Sequence, residues 1–223
     1  MLLAFTLIFS ALNPDFAKAT PLSDGADAYN RHDYRAAREI WQPLAERGNV
    51  RAENNMGILY ENGFGVQKDY AQALFWYRKA ASKRSAEAAN NIGVLYDTGH
   101  GVRQNYAEAA EWYGKAANLG FAEAEYNLGA MYLHGDGMKK DDAEAAAWFR
   151  KAANQGDTRA QFNSGVLCIR HHDYATAYMW LSLAADAGDK NAMRKRNALA
   201  AHMSDRDRAE GTAMIHSWKQ GRR

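Results

Sequence analysis

The chain has 223 residues, of which 24% are charged and 47% are hydrophobic, and its net charge is +2 at pH 7. This composition can supply a buried core and excludes wholesale disorder. A charge so close to neutrality gives no support for a nucleic-acid partner. The single cysteine, Cys168, excludes both an internal disulfide framework and a cysteine-based zinc cluster.

The first 19 residues, MLLAFTLIFSALNPDFAKA, have the features of a secretory signal peptide. An apolar run over residues 2–12 is followed by Pro14 and by Ala17-Lys18-Ala19, a small-x-small cleavage site. The run is too short to span a bilayer, and no other segment approaches membrane length. No Lys or Arg precedes it, which leaves an uncleaved anchor or a wrongly assigned start codon as alternatives. We predict a periplasmic or secreted protein, cleaved after Ala19, with no membrane span after cleavage.

Three stretches that begin with Gly-x-Gly are copies of one another. They are GFGVQKDYAQALFWYRKAA at 63–81, GHGVRQNYAEAAEWYGKAA at 99–117 and GDGMKKDDAEAAAWFRKAA at 135–153. A single Gly-x-Gly before a helix could cradle a phosphate, but such a loop occurs once per site. A fixed period of 36 residues indicates a repeat architecture instead. The glycines are therefore predicted to be structural, as are four others in the same register: Gly57, Gly93, Gly129 and Gly165.

Each repeat is predicted to be a helix, a turn and a second helix. One face of the first helix is formed by Ala52, Met56, Gly57 and Tyr60, and one face of the second by Ala73, Trp76, Tyr77 and Ala80. The small residues predict a close approach of the two backbones. Glycine follows the second helix at 120, 156 and 188, as helix-ending glycines do. Arg84 stands at the equivalent place, which predicts a less regular turn there.

Two degenerate repeats flank the three clear ones. They lack the glycine loop and turn from one helix to the next through His-Asp-Tyr, at 32–34 and at 172–174. The predicted divisions are a signal peptide at 1–19, a degenerate repeat at 20–49, repeats at 50–85, 86–121 and 122–157, a degenerate repeat at 158–190 and C-terminal capping helices at 191–223. Ser204 is predicted to cap the last helix.

The pattern A-x-x-N-φ-G-x-x-Y, then G-x-G-V, then Y-A-x-A-x-x-W-Y-x-K-A-A-x-x-G resembles the Sel-one-like repeat, a branch of the tetratricopeptide superfamily. The resemblance covers residues 25 to about 190. It implies an all-α, right-handed superhelical solenoid with the first helices on the concave face. It also implies a protein-interaction role, since members are mostly adaptors, many bacterial ones are exported, and some are immunity proteins. A fold alone does not give a function.

Residues with catalytic or metal-binding chemistry have structural interpretations. His171, His172 and Asp173 could ligate a metal, but residues 32–34 repeat the same turn. Cys168 stands where the clear repeats have tyrosine, which favours a buried small hydrophobe over a nucleophile. A cysteine-rich branch of the family is linked to penicillin binding and β-lactam hydrolysis, but it uses paired cysteines. We predict a non-enzyme without cofactor or metal, with a cell-wall-directed enzyme, β-lactamase-like or penicillin-binding, as the alternative.

The outward stripe of each first helix is predicted at the positions three before, one after and four after the repeat glycine. These positions hold Asn54, Ile58 and Glu61, then Asn90, Val94 and Asp97, then Tyr126, Ala130 and Leu133, then Phe162, Val166 and Ile169. The stripe changes from polar to apolar halfway along. We predict a partner-binding site formed by Tyr126, Leu133, His134, Phe162, Ile169 and Arg170. Alternatively, Leu133 and Ile169 pack beneath the next repeat or the C-terminal tail.

The predicted function is therefore an exported, non-catalytic solenoid that binds another protein in the periplasm or envelope. Its output would be regulation, assembly or inhibition of that partner. An immunity protein against an envelope-targeted effector is one concrete form.

We predict that the mature chain begins at Thr20, because signal peptidase recognises the small residues at 17 and 19. Mass spectrometry of the protein from the envelope fraction should find an N-terminal peptide that starts at Thr20. An intact Met1 on a cytoplasmic protein would contradict both cleavage and export.

Overall fold

The computed structural model of the chain describes residues 21–221, which form twelve helices and no strand. The predicted signal peptide and its cleavage site lie outside the described residues. Five helix pairs follow one another: α1 (Pro21–Asn30) with α2 (Tyr34–Glu46), α3 (Val50–Asn62) with α4 (Tyr70–Ser82), α5 (Ala86–Thr98) with α6 (Tyr106–Ala117), α7 (Ala122–His134) with α8 (Asp142–Gln155), and α9 (Thr158–Arg170) with α10 (Tyr174–Asp186). Two more helices complete the described chain, α11 (Lys190–Ala200) and α12 (Asp205–Gln220).

The pairs stack in chain order. Within a pair the two helices pack together, and each second helix also packs against the first helix of the next pair. At the end of the stack, α11 and α12 both pack on α10 and cover its outer side. The predicted all-α solenoid of helix–turn–helix repeats is confirmed. Within residues 21–221, no helix has the length and apolarity needed to cross a membrane.

The repeat glycines lie where the two helices of a pair come closest. A Cβ atom added to Gly93 would be 2.7 Å from the Tyr113 ring, and one added to Gly129 would be 2.9 Å from the Phe149 ring. Gly57 has the same contact with Tyr77. Real Cβ atoms do not approach neighbours so closely, so only glycine allows this helix spacing. The predicted structural role of these glycines is confirmed.

The glycine loops connect each clear repeat to the one before it. The second glycine of the loop has a left-handed backbone, with φ of 66° at Gly65, and it lies against the start of the preceding second helix. A Cβ on Gly65 would be 2.6 Å from the Tyr34 carbonyl oxygen. Phe64 also stacks on the Tyr34 ring, with centroids 4.3 Å apart. The loop is therefore an inter-repeat contact.

Local signals at the helix ends behave largely as predicted. The Ser204 hydroxyl accepts a hydrogen bond from the Asp207 N–H at 3.1 Å, which confirms the cap of α12. The prediction of a less regular turn at Arg84 is wrong. Arg84 adopts the left-handed conformation, with φ of 66°, and its N–H donates to Ala81 at 2.9 Å, just as Gly120 donates to Ala117. The arginine takes on the backbone strain that glycine avoids.

Two glycine-to-alanine substitutions in one repeat should have opposite effects. We expect Gly93→Ala to lower the free energy of unfolding by about 1–3 kcal/mol, because the new methyl group meets the Tyr113 ring. Gly114→Ala is the matched control on α6, where a Cβ would meet no atom within 4 Å. It should raise the free energy of unfolding by about 0.5–1 kcal/mol through helix propensity. Urea unfolding measures both, and equal effects would contradict the close helix contact.

Candidate protein-binding surface

The first helices α3, α5, α7 and α9 form one side of the solenoid, called here the first-helix face. Asparagines bridge neighbouring helices along it. The Asn91 side-chain amide donates to the Asn54 oxygen at 3.2 Å, and Asn127 donates to Asn90 at 3.1 Å. Asn54 and Asn90 are only 3% and 2% exposed. The prediction that they face outward is therefore wrong, because their amides are buried between repeats, where a polar group needs a partner.

The acidic residues of the predicted stripe also have partners inside the protein. The Tyr77 hydroxyl donates to the Glu61 carboxylate at 2.6 Å, and the Tyr113 hydroxyl donates to Asp97 at 3.2 Å. Burial raises the pKa of both tyrosines, and the neighbouring carboxylate raises it further. Each hydroxyl therefore stays protonated and available to its carboxylate over the whole range of physiological pH.

The change from polar to apolar along the stripe follows from these pairs. In the next repeat Phe149 has no hydroxyl to donate, and Leu133 packs on its cluster in place of an acid. In the last pair Leu181 takes the ring's place, and Ile169 packs on the cluster that contains it. The variation at this position is thus matched between the two helices of each repeat, and a partner protein is not needed to explain it.

The structure places four of the six predicted site residues at half-buried positions. Tyr126 and Leu133 pack on the cluster that contains Phe149. Phe162 and Ile169 pack on a different cluster, which Leu199 of α11 also joins. Ile169 thus packs on a cluster shared with the C-terminal cap, as the alternative interpretation expected. The four side chains present only part of their surface to solvent.

The other two predicted residues, His134 and Arg170, are exposed. Arg170 forms an ion pair with Asp142, at 3.3 Å. Sequence reasoning missed Arg159, whose guanidinium lies 4.2 Å from the centre of the Tyr126 ring. The Tyr126 ring is therefore held between Arg159 and Phe149, which limits its motion and its exposure. The only signal for this contact in the sequence was the position of Arg159, one helical turn before Phe162.

Two further features of the first-helix face were missed. Asn55, Asn91, Asn127 and Asn163 occupy one repeat position and are all half-buried on this face. Their 36-residue spacing is visible in the sequence and could have revealed them. At the N-terminal end, a cleft of about 390 Å³ opens on the same face, and its lining residues are Leu22, Ser23, Ala26, Arg51, Asn55 and Glu87. The face therefore carries amide groups along its length.

The residues considered for metal binding hold the turn instead. His172 Nδ1 lies 2.8 Å from the Tyr174 hydroxyl, and Asp173 caps α10 by accepting from the Thr176 N–H at 3.1 Å. His32 and Asp33 make the same contacts at the first turn. The shared turn is confirmed. Within the part of the chain that the structure describes, no cluster of His, Cys, Asp or Glu is placed to hold a metal ion.

Cys168 lies between α8 and α10 and is half-buried. Burial raises the pKa of its thiol to about 11, with a further contribution from Asp173. The thiol is therefore protonated at neutral pH, where a nucleophile would need the thiolate. Its environment resembles that of a small hydrophobic residue.

The stacked helix pairs and their continuous face define a helical-repeat solenoid of the protein-interaction type. The Sel1 repeat model matches residues 50–85, 86–121, 122–157 and 159–189, so the chain belongs to the Sel1 repeat family. A solved Sel1 repeat protein from Oxalobacter formigenes is 34% identical, with a TM-score of 0.71 over 77% of this chain and 70% of that one. A comparison with curated protein sequences gave no match.

Two further solved structures share the fold. The protein c5321, described as a protective antigen of uropathogenic Escherichia coli strains with an SLR fold, is 26% identical with a TM-score of 0.74. The match covers 90% of this chain and 45% of c5321, so the chain spans less than half of that protein. Immunity protein Pa5087 from Pseudomonas aeruginosa is 19% identical, with a TM-score of 0.54 over 87% of this chain and 82% of that one. This last likeness concerns the fold alone.

The tyrosine–acid pairs can be tested by a double-mutant cycle at Tyr113 and Asp97. Tyr113→Phe should lower the free energy of unfolding by about 1 kcal/mol, because Asp97 loses its hydrogen bond. Adding Asp97→Leu should recover most of this loss by recreating the apolar pair seen at Phe149 and Leu133. Thermal unfolding of the four proteins gives the coupling energy. Strictly additive effects would show that the two positions do not depend on one another.

Proposed function

We propose that the protein is an exported, non-catalytic solenoid that binds another protein in the periplasm or envelope and so regulates, assembles or inhibits it. The observation that carries this proposal is the first-helix face, which continues over successive repeats and carries amides and half-buried aromatics. Repeat solenoids use such extended faces to bind other chains. The predicted signal peptide supports export, and the family supports a protein as the partner.

The strongest contact on this face is expected at α7 and α9. Tyr126 lies there beside Arg159, and His134 and Arg170 are exposed on the same two helices. Tyrosine and arginine are enriched among residues that dominate binding energy, because they combine apolar area with hydrogen-bonding groups. A ring already held by a neighbouring arginine loses little conformational entropy when a partner binds. The site proposed here therefore keeps Tyr126, His134 and Arg170 and adds Arg159.

Neutralisation of an effector that acts in the envelope is the most specific form of this function. The immunity proteins of P. aeruginosa share the fold, and that likeness by itself goes no further. Inhibition is distinguished from assembly by the partner's own activity. A neutralising protein should abolish that activity at a one-to-one ratio, whereas an assembly factor should leave it intact.

The site can be tested with the double variant Tyr126→Asn and Arg170→Ala. Asparagine occupies the position of Tyr126 in the two preceding repeats, and an asparagine introduced there could accept from Asn163 as Asn90 accepts from Asn127. The fold should therefore survive, while partner capture from an envelope extract should fall at least about tenfold. Quantitative mass spectrometry of the captured proteins measures the loss.

Glu111→Ala on the second helix α6 is the matched control, since Glu111 is exposed and away from the first-helix face. It should capture the partner as the unmodified protein does. Circular dichroism melting of both variants checks the fold. Unchanged capture by a folded double variant would exclude α7 and α9 as the binding site.

A further inference from the structure

One repeat position changes its chemistry in the last pair. Tyr60, Tyr96 and Tyr132 occupy it in the clear repeats, half-buried against the core clusters, and Cys168 occupies it in α9. The Tyr96 hydroxyl accepts a hydrogen bond from the Arg78 guanidinium of the preceding second helix, at 3.0 Å. The hydroxyl is thus anchored by a cation from the neighbouring repeat.

The arginine of this pair is present again at Cys168, although the tyrosine is not. Arg150 stands 72 residues after Arg78, as Cys168 stands 72 residues after Tyr96, so the two pairs are related by the same repeat operation. Gly114 occupies the arginine position in the intervening repeat, which shows that the arginine is not a constant feature of the fold. The last pair therefore keeps the hydrogen-bond donor and lacks the chain's own phenol.

A cleft of about 310 Å³ lies beside Cys168, the residue that stands in place of that tyrosine. Arg150 and Asp173 stand at its charged, exposed rim, and Ser164, Leu167 and Trp180 form deeper, buried walls around Cys168. Two differences from the clear repeats coincide at this cleft. Cysteine is much smaller than tyrosine, and this repeat lacks the glycine loop that packs against the preceding helix in the clear repeats.

A buried hydroxyl in the cleft points to a polar ligand. Ser164 is 5% exposed, and among the described residues its Oγ atom has no hydrogen-bond partner. The clear repeats have methionine, isoleucine and leucine at this position. A buried hydroxyl without a partner is unfavourable by itself, and a ligand that hydrogen-bonded to it would remove that cost.

We propose that this cleft, called the Cys168 cleft, binds a tyrosine side chain of a partner protein. The phenol ring would lie between Leu167 and Trp180, over the small Cys168 side chain. Its hydroxyl would lie inside the cleft, where it would accept from the Arg150 guanidinium reaching in from the rim and donate to the buried Ser164 hydroxyl. A phenylalanine ring would fill the same space but leave both polar groups unsatisfied, so the cleft discriminates against it.

The inference rests on the proposed function only for the source of the tyrosine. Residues of α8, α9 and α10 line the cleft, and Tyr126 and Arg170 are not among them. A partner that lies along the first-helix face could reach it with an extended segment that passes around α9.

Binding can be measured on the purified protein without any partner. The probe is N-acetyl-L-tyrosine amide, with N-acetyl-L-phenylalanine amide as the matched comparison. In a titration followed by two-dimensional NMR, the indole N–H of Trp180 and the amides of Ser164 and Cys168 should shift with the tyrosine probe. The phenylalanine probe should bind about tenfold more weakly, because it forms no hydrogen bond with Arg150. An absence of tyrosine-dependent shifts at these residues would overturn the proposal.

Variants then test the geometry. Cys168→Tyr should fill the cleft with the chain's own phenol, abolish probe binding and leave the melting temperature unchanged or higher. Cys168→Ala keeps the cleft open and should bind the probe as before. Probe binding that survives in a folded Cys168→Tyr variant would exclude the cleft.

Arg150→Ala provides a second test that does not depend on fitting a larger side chain. It should reduce the preference for the tyrosine probe over the phenylalanine probe from about tenfold to near equality. A preference that persists would exclude Arg150 as the recognition group. These results are independent of partner capture, so failure of the proposed function and failure of the Cys168 cleft can be told apart.

Discussion

The close contact between a glycine of the first helix and a large side chain of the second is the constraint on which the solenoid depends. At Gly57 and Gly93 the ring of a tyrosine lies directly on the helix backbone, at a distance that excludes any Cβ atom. The contact fixes the distance between the helices and so gives every repeat the same outline. Repeats of the same shape can all stack on one another with the same geometry. At Gly165 the side chain of Leu181 takes the place of the ring. The contact requires only that a side chain fill the space against a backbone that carries no Cβ atom.

The repeats also show that variation between them can arise inside the protein. Lys83 donates to the buried Glu53 at 2.6 Å, and two repeats later Gln155 donates to the buried Glu125 at 2.8 Å. The intervening repeat has Ala89 and no acid at this position. Burial raises the pKa of Glu125, which the hydrogen bond from Gln155 partly offsets. Polar and apolar choices are thus matched between neighbouring helices, and a position that varies is not for that reason a contact with a partner.

The positions of functional interest are therefore those where the side chains of neighbouring helices are not fully matched in polarity. Tyr126 has a cation over its ring and remains partly exposed, whereas Tyr77 and Tyr113 of the second helices are buried with carboxylate partners. The Cys168 cleft has a guanidinium at its rim and a buried hydroxyl that finds no partner among the described residues. Both features occur in the last two helix pairs, of which the final one lacks the glycine loop and adjoins the cap. The chemical groups that are particular to this solenoid are therefore found at residues that depart from the repeat pattern.

The sequence by itself determined the elements and their register. Helical periodicity, the 36-residue spacing, the cap at Ser204 and the His-Asp-Tyr turn can all be read along the chain, and the cap and the turn depend on residues within a few positions of one another. Only the tertiary structure decided which side of a first helix is exposed. Asn54 and Asn90 are buried because the next first helix lies over them, and its position depends on packing across three helices. The hydrophobic periodicity of a single helix distinguishes its faces. It does not show on which side of that helix the following repeat stacks.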